Sequence, residues 1–426
     1  MPPPLSDSLI VGAGAAGLMA ARLLAQAGRR VTVLEARPRC GGRIDPQDAA
    51  AFGYAAEAGA EYVHGAAALT RELLREAGLS TVPVSGRRWT LQDGQWVPRD
   101  SAPHEDRFLA AMKGLGEDMP VARFLETRFT TPEYKALREQ ITREVEGYNA
   151  ADLRRYSIFS LREQWIDPDS ERQERVVEGY GALINFLVAD LRRLGVTVHL
   201  GAAVAAVEVT SETVTLRCRD GASFDARAAI LTAPLPVLRR LDLPAELKKK
   251  VSAADRVVGF GAVVKTLLRF RTPWWRAEND GVFADMGFVF GADIPVRTWW
   301  TQYPFGDRTV LTGWLSGPRI QEVAALDEAA LIERGVVSLA QLFAKPVELL
   351  KGELVAARAV HWGREEFSRG AYSYPTPGSK KAEAALRDID GPVLVCGEAL
   401  YGDGETGTVE AALASGRAAA QKLLSP

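Results

Sequence analysis

The chain is 426 residues long, 47% hydrophobic and 25% charged, with a formal net charge of −2. That length is more than one simple core carries and predicts two domains. The near-neutral, ordinary globular composition excludes a disordered chain and gives no electrostatic reason to expect nucleic acid or an anionic membrane as partner.

Residues 9–11 end a short apolar run that reads as a buried strand. Gly12, Gly14 and Gly17 then form G-x-G-x-x-G, 15–27 is an alanine- and leucine-rich helix pattern closed by Gly28, and 31–34 is a second buried strand ending at Glu35. In such a β-α-β unit the first glycine permits a tight turn, the second lets a pyrophosphate approach the backbone, and the third lets helix and sheet lie close. The helix N-terminus favours phosphate, and Glu35 stands where an acid meets ribose hydroxyls. The plainer alternative is a glycine-rich turn that binds nothing. Gly41-Gly42-Arg43 follows, a further backbone approach plus a guanidinium, which suits a flavin dinucleotide better than a nicotinamide one; otherwise Arg43 is a solvated loop residue.

The small, glycine-spaced stretch 51–65 contains Gly59-Ala60, where backbone could pass close to a flat ring. Residues 66–78 read as a helix. Residues 79–175 differ in character, with amphipathic helices predicted over 122–129 and 132–148 and Trp89 and Trp96 on strand-like pieces. Near Val176 the first composition resumes: a helix over 182–194, then strands over 196–200, 204–209, 214–217 and 228–232. Strands follow at 263–270, which contains Lys265, and at 297–303 and 309–316, with a helix over 327–343. The last segment carries Trp362, Gly370-Ala371-Tyr372-Ser373, a buried strand 393–396, Gly397-Glu398, and a final helix opened by Thr408. The alternation predicts an α/β fold. Cofactor-type pieces at 1–78, 176–240 and 362–426, a Rossmann-like domain, are expected to intertwine with an α+β domain made of 79–175 and 241–361, with a cleft where the two meet.

Cys40, Cys218 and Cys396 are scattered, so no metal site is expected and the thiols read as reduced. MPPPLSDS lacks the basic and apolar regions of a leader. No apolar run reaches the roughly 18 residues of a membrane span, and no tail anchor follows the last helix, so a cytoplasmic location is expected.

With these blocks in order, the chain resembles the flavin-dependent amine oxidases: monoamine oxidases, polyamine oxidases, flavin-type histone demethylases and their bacterial relatives. The blocks are 11–43, 59–65, 362–378 and 397–416. The resemblance implies an extended FAD. Gly12, Ala13, Gly14, Ala16, Gly17, Gly42 and Arg43 would meet its pyrophosphate, and Glu35, Ala36, Arg37 and Val204 its adenosine. Gly59, Ala60, Glu61 and Tyr62 would line the ring. Gly397 and Glu398 would meet the ribityl and phosphate region, and Gly407, Thr408 and Val409 the pyrimidine end. Lys265 would hold a water near flavin N5, Trp362 would flank the isoalloxazine, and Tyr372 would orient the amine; for each, plain core or surface placement is the simpler alternative. His64 and Thr408 would face substrate, His64 with a structural role as its alternative. Ala371 stands where the covalently flavinylated members place a cysteine, which implies non-covalent FAD. Thr408 stands where they place a second aromatic, which implies an incomplete aromatic cage.

The implied activity is oxidation of a small-molecule amine to an imine, then an aldehyde or ketone. Hydride passes to flavin N5, and dioxygen takes the electrons to give peroxide. Two rivals share the scaffold. One is an L-amino-acid oxidase, carotenoid desaturase or protoporphyrinogen oxidase; the other is a non-catalytic flavin-binding scaffold. An amino-acid oxidase needs a cation for the carboxylate, and no arginine is placed in the cleft by sequence. Nothing in the sequence sets an oligomeric state.

Overall fold

The structure, a computed structural model, describes residues 6–99, 102–170, 172–402 and 406–425. The amino-terminal MPPPL, read above as no leader, and Pro426 lie outside them. Among the described residues no helix is long and apolar enough to cross a membrane, and no cluster of metal-ligating side chains occurs.

The predicted β-α-β unit forms strand Ser6–Val11, helix Ala15–Gln26 and strand Val31–Glu35. It nucleates a seven-stranded sheet. Val31–Glu35 pairs in parallel with Ser6–Val11 and with Thr197–Leu200, and Ser6–Val11 pairs in parallel with Ser223–Leu231. Ser223–Leu231 continues antiparallel into Val214–Cys218 and then Val204–Val209, and takes Val393–Val395 in parallel at its other end. The central strands are apolar on both sides because both faces are covered. On one face lie the helices Ala15–Gln26, Tyr180–Arg193 and Val409–Leu424; on the other lie Ala245–Val257 and Ser379–Arg387.

A second seven-stranded sheet runs Leu354–His361, Val263–Phe270, Val310–Ser316, Thr298–Trp300, Met286–Gly291, Arg87–Gln92, Gln95–Pro98. All its pairings are antiparallel except Met286–Gly291 with Arg87–Gln92. The helix Glu328–Leu342 packs on it. Helices Glu105–Lys113, Val121–Arg128, Lys135–Arg143 and Ile158–Ile166 gather around Phe108 and Phe124. Two small sheets stitch these parts together. One joins Tyr62–His64 and Thr81–Pro83 to Gln173–Val176, the other Gly259–Gly261 to Tyr372–Tyr374.

Two elements differ from expectation. The single helix predicted over 132–148 is a 3-10 turn Pro132–Tyr134, the helix Lys135–Arg143 and a π turn Glu144–Tyr148. The wide turn turns carbonyls outward, and Trp314 Nε1 and Ser316 Oγ donate to Gly147 O (2.8 Å) and Glu146 O (2.7 Å). The strand predicted over 297–303 is only Thr298–Trp300, because Thr301 Oγ1 donates to Met286 O and Gln302 reaches Glu61 instead of continuing the ladder.

Candidate active site

A cavity of about 2460 Å³ runs from the first glycine loop, past the crossings between the two large sheets, to the inner face of the second sheet. A single small-ligand cleft occupies about 300–1,000 Å³, so this one has room for a large dinucleotide and a second molecule.

Its first wall is backbone. Gly12 has a φ of +104°, and its N–H donates to Leu34 O (2.8 Å). A Cβ on Gly17 would lie 1.9 Å from Gly12 O, so only glycine brings the helix this near the turn. Gly41 N–H donates to Ala13 O (2.8 Å), and a Cβ on Gly42 would stand 3.3 Å from Gly14 Cα. The two glycine loops therefore face each other with no side chain between them, a shape that fits a pyrophosphate. The buried Glu35 accepts from the N–H groups of Ala13 (2.7 Å) and Arg37 (2.8 Å) and still lines the cavity. Ala16, Ala36, Arg37 and Val204 line it too, Arg37 Nη2 donating to Ser368 Oγ (2.9 Å). Of the proposed cofactor residues, Ala13 and Gly17 do not reach the cavity surface; they shape the loop from behind.

Glu398 lines the cavity and is also tied into the protein. One oxygen accepts from Arg43 Nη1 (2.7 Å) and Ser373 N–H (3.2 Å), the other from Ser373 Oγ and Gly407 N–H (2.9 Å). A carboxylate has about four acceptor positions, so this side chain is saturated. It ties three segments together and orients Arg43, whose Nη1 also donates to Ala371 O (2.8 Å). Gly397, Gly407, Thr408 and Val409 line the cavity. Thr408 Oγ1 accepts from Ala411 N–H (3.0 Å), so the hydroxyl proposed to face substrate is also the cap of the last helix.

Glu61 is saturated in the same way. Its oxygens accept from Lys265 Nζ (2.8 Å), Arg175 Nε (3.0 Å), Gln302 Nε2 (3.0 Å) and Trp300 Nε1 (3.2 Å). Burial alone would raise its pKa, but Lys265 and Arg175 outweigh that and hold it at about 2. Its carboxylate is the counter-ion of Lys265 and Arg175 and also lines the cavity, as Gly59 and Ala60 beside it do. Lys265, 1% exposed, also donates to Gly59 O (3.0 Å), so two of its three donors are committed to protein. Tyr62 OH accepts from Arg175 Nη2 (3.0 Å).

Trp362 is buried beside the cavity, its Nε1 donating to Ala58 O (3.0 Å). Tyr372 OH donates to Tyr148 O (2.6 Å), and its ring stacks on Trp314 at 6.4 Å and 20°. Tyr148 OH also meets His64 Nδ1 (3.0 Å). Burial lowers the His64 pKa to about 4, so its imidazole is neutral near pH 7. Trp300 completes the group, 5.9 Å from both Tyr62 and Trp314. Tyr62, Trp300, Trp314 and Tyr372 thus form an aromatic box built from several elements. Tyr148, Trp300, Trp314 and Arg175 were missed in sequence; the segments carrying Trp300 and Trp314 were read as strands, which does not say what their rings face.

Comparison with known proteins comes to the same point. A family model described as flavin containing amine oxidoreductase matches residues 15–424. Polyamine oxidase 4 of Oryza sativa subsp. japonica is 26% identical over an alignment of 450 residues, covering 97% of this chain and 88% of that protein. Lysine-specific histone demethylase 2 of Homo sapiens is 25% identical over 425 residues and covers 92% of this chain, which spans 50% of that relative's length. Among solved structures, wild-type putrescine oxidase bound to putrescine has a TM-score of 0.78 at 23% identity, covering 99% of each chain. Cyclohexylamine oxidase from Brevibacterium oxydans IH-35A has a TM-score of 0.80 at 19% identity, covering 99% of this chain and 100% of that one. These two likenesses show the fold.

Proposed function

Because the chain belongs to the flavin-containing amine oxidoreductases, we propose that it binds FAD non-covalently and oxidises a small amine to an imine, which hydrolyses to an aldehyde or ketone. The observation that carries this reading is the buried Lys265–Glu61 pair (2.8 Å) beneath an aromatic box, in the same cavity as the glycine cradle. A non-catalytic scaffold has no use for a buried ammonium placed there.

Bound FAD supplies a two-electron acceptor, with dioxygen as the final oxidant; the chain supplies the rest. Gly12, Gly14, Gly42 and Arg43 would hold the pyrophosphate, and Glu35 the adenosine ribose. The start of the last helix at Thr408 and Val409 presents a positive dipole end. Trp362 and Tyr372 flank the reacting region. Tyr148, Trp300, Trp314 and Tyr372 exclude water, and a dry apolar site selects the neutral amine, because burying an unpaired ammonium is costly. Neutral His64 positions Tyr148 and through it the box. The remaining donor of Lys265 would hold a water that serves imine hydrolysis or flavin reoxidation. Ala371, in place of a thiol, supports non-covalent attachment.

The two large sheets support assigning 1–78, 176–240 and 362–426 to the cofactor and the intervening pieces to the substrate, although Tyr62–His64 pairs with Gln173–Val176, and Gly259–Gly261 with Tyr372–Tyr374, across that division. A cytoplasmic protein is the simplest location. An absorbance spectrum of the purified protein, FAD release by acid, and anaerobic titration with amines test the reading. Yellow protein bleached by an amine, with peroxide on readmitting oxygen, is expected; colourless protein, or flavin that no amine bleaches, overturns it.

A further inference from the structure

The substrate side of the cavity holds three guanidinium groups that no described residue pairs with. Arg88 lies opposite Arg99, the residue just past the end of the adjacent antiparallel strand, and the Arg99 N–H donates to Arg88 O (2.9 Å). Like charges directly opposite on a sheet destabilise it. Arg143, at the end of helix Lys135–Arg143, lies near enough to Arg99 to disfavour its charge. All three line the cavity. Among the described residues none has a carboxylate within ion-pair distance. Glu144 lies near Arg99 and Glu139 near Arg143, but Glu144 accepts from Trp165 Nε1 (2.8 Å) and Glu139 pairs with Lys135 (3.9 Å). Two carboxylates with other partners do not neutralise three arginines.

Two of the arginines are also held in place. The Arg99 guanidinium sits 4.0 Å from the centre of the Phe290 ring, and that of Arg88 5.6 Å from Phe288. Stacking on aromatic faces fixes the planar forks and leaves their N–H edges for a ligand. Phe288 connects them to the aromatic box: its ring is 5.9 Å from Trp300, and Trp300 is 5.4 Å from Lys265 Nζ. An aromatic path therefore leads from the buried lysine to a cationic cluster that is unpaired among the described residues. The cradle for the cofactor's own phosphates, with Arg43, lies on the other sheet, so these arginines are not needed there.

We propose that the amine oxidised by this protein carries an acidic group, a carboxylate or a phosphate, at its far end, received by Arg88, Arg99 and Arg143. This rests on the amine-oxidase reading above and adds the substrate's second charge. A diamine is disfavoured, because its distal ammonium would meet three cations.

The test uses the flavin-loaded protein with four sets of probes matched in chain length: n-alkylamines, their ω-carboxylates, their ω-phosphates, and α,ω-diamines. Binding is read by calorimetry and oxidation by flavin bleaching. The acidic amines are expected to bind at least tenfold more tightly than the plain alkylamine, the advantage shrinking as salt rises. The better of the two acids identifies carboxylate or phosphate as the natural group. Arg99→Gln combined with Arg143→Gln should bring the ratio of acidic to plain amine towards unity. A diamine or plain alkylamine that binds as well as the acids overturns the proposal, as does an unchanged ratio in the double variant. Should that variant not fold, the wild-type ratio and its salt dependence decide. Tight binding of an acidic amine without bleaching would leave the anion site standing and remove the oxidase reading; bleaching by plain amines with no acid preference would do the reverse.

Discussion

Glu61 accepts from four side chains, and Lys265 is the one whose removal is most telling. Lys265→Met leaves a buried carboxylate short of its ammonium, and stripping one partner from a buried pair costs about 3–5 kcal/mol. A lower thermal midpoint is expected, with FAD retained and amine-driven bleaching slowed; unchanged rates of both flavin half-reactions would take Lys265 out of the chemistry. Because Glu61 is held at about 2, below its unfolded value, its contribution to stability is present above about pH 4.3 and is lost as pH falls towards 2. In Lys265→Met the acid limb of the stability curve should move to higher pH. Glu57 behaves oppositely. Burial lifts its pKa from 4.5 to about 8, Oε1 accepts from Gly181 N–H (3.0 Å), and among the described residues Oε2 has no partner. Between those two values the folded protein keeps a proton that the unfolded chain has released, so stability falls as pH rises through the window. Glu57→Gln keeps the acceptor for Gly181 and removes the titration. Its urea midpoint should gain on the wild type's between about pH 5 and pH 8; parallel curves would show that Glu57 ionises normally.

At the scale of elements, the first and last helices set the width of the cradle. A Cβ on Gly416 would lie 2.1 Å from Ala16 O, backbone against backbone. Gly416→Ala must push the last helix outward and carry Thr408 and Val409 with it. Overpacking of this kind costs about 1–3 kcal/mol. The expected result is a lower thermal midpoint and flavin lost on gel filtration, whereas a variant that stays yellow and equally stable would show that the helices slide without consequence. This contact was not legible in the sequence, because Gly416 looks like one more small residue in a helix of small residues. The first β-α-β unit was legible, since the turn, the helix and the acid are set by spacing within 30 residues of each other. Glu61, Glu398 and Arg43 were legible as polar residues of segments that line the cavity. That the two acids saturate on protein groups was not, because Arg175, Trp300 and Gln302 come from more than 100 positions away from Glu61. The π turn was hidden for a related reason. An amphipathic pattern fixes which side of a helix is buried, but one widened turn barely disturbs it, and only the bonds from Trp314 and Ser316 show what the turn is for.

For the molecule as a whole, the cavity of the proposed cofactor site runs where the chain passes between its two large sheets. In that proposal the adenosine end would meet Glu35, Arg37 and Val204 by the first sheet. The ring end would lie among Gly59, Lys265, Trp362 and Tyr372, which come from the crossings and the second sheet. A ligand spanning both ends binds only the folded arrangement, so its binding free energy adds to the folding free energy, by about 2.7 kcal/mol at roughly 100 times Kd. Protein stripped of flavin should melt at lower temperature and regain stability with added FAD in a concentration-dependent way. FMN shares the ring and one phosphate but has no adenosine to reach Glu35, so it should stabilise less at equal concentration. Glu35→Ala removes the acceptor and also frees the N–H groups of Ala13 and Arg37 that it holds, which loosens the first glycine loop. In that variant the FAD and FMN curves should converge, FAD falling to the level of FMN. If FMN stabilises the wild type as fully as FAD does, the dinucleotide does not lie extended across the two sheets. The assignment of Glu35, Arg37 and Val204 to its adenosine end is then withdrawn, while the ring end, which rests on separate contacts, is left untouched.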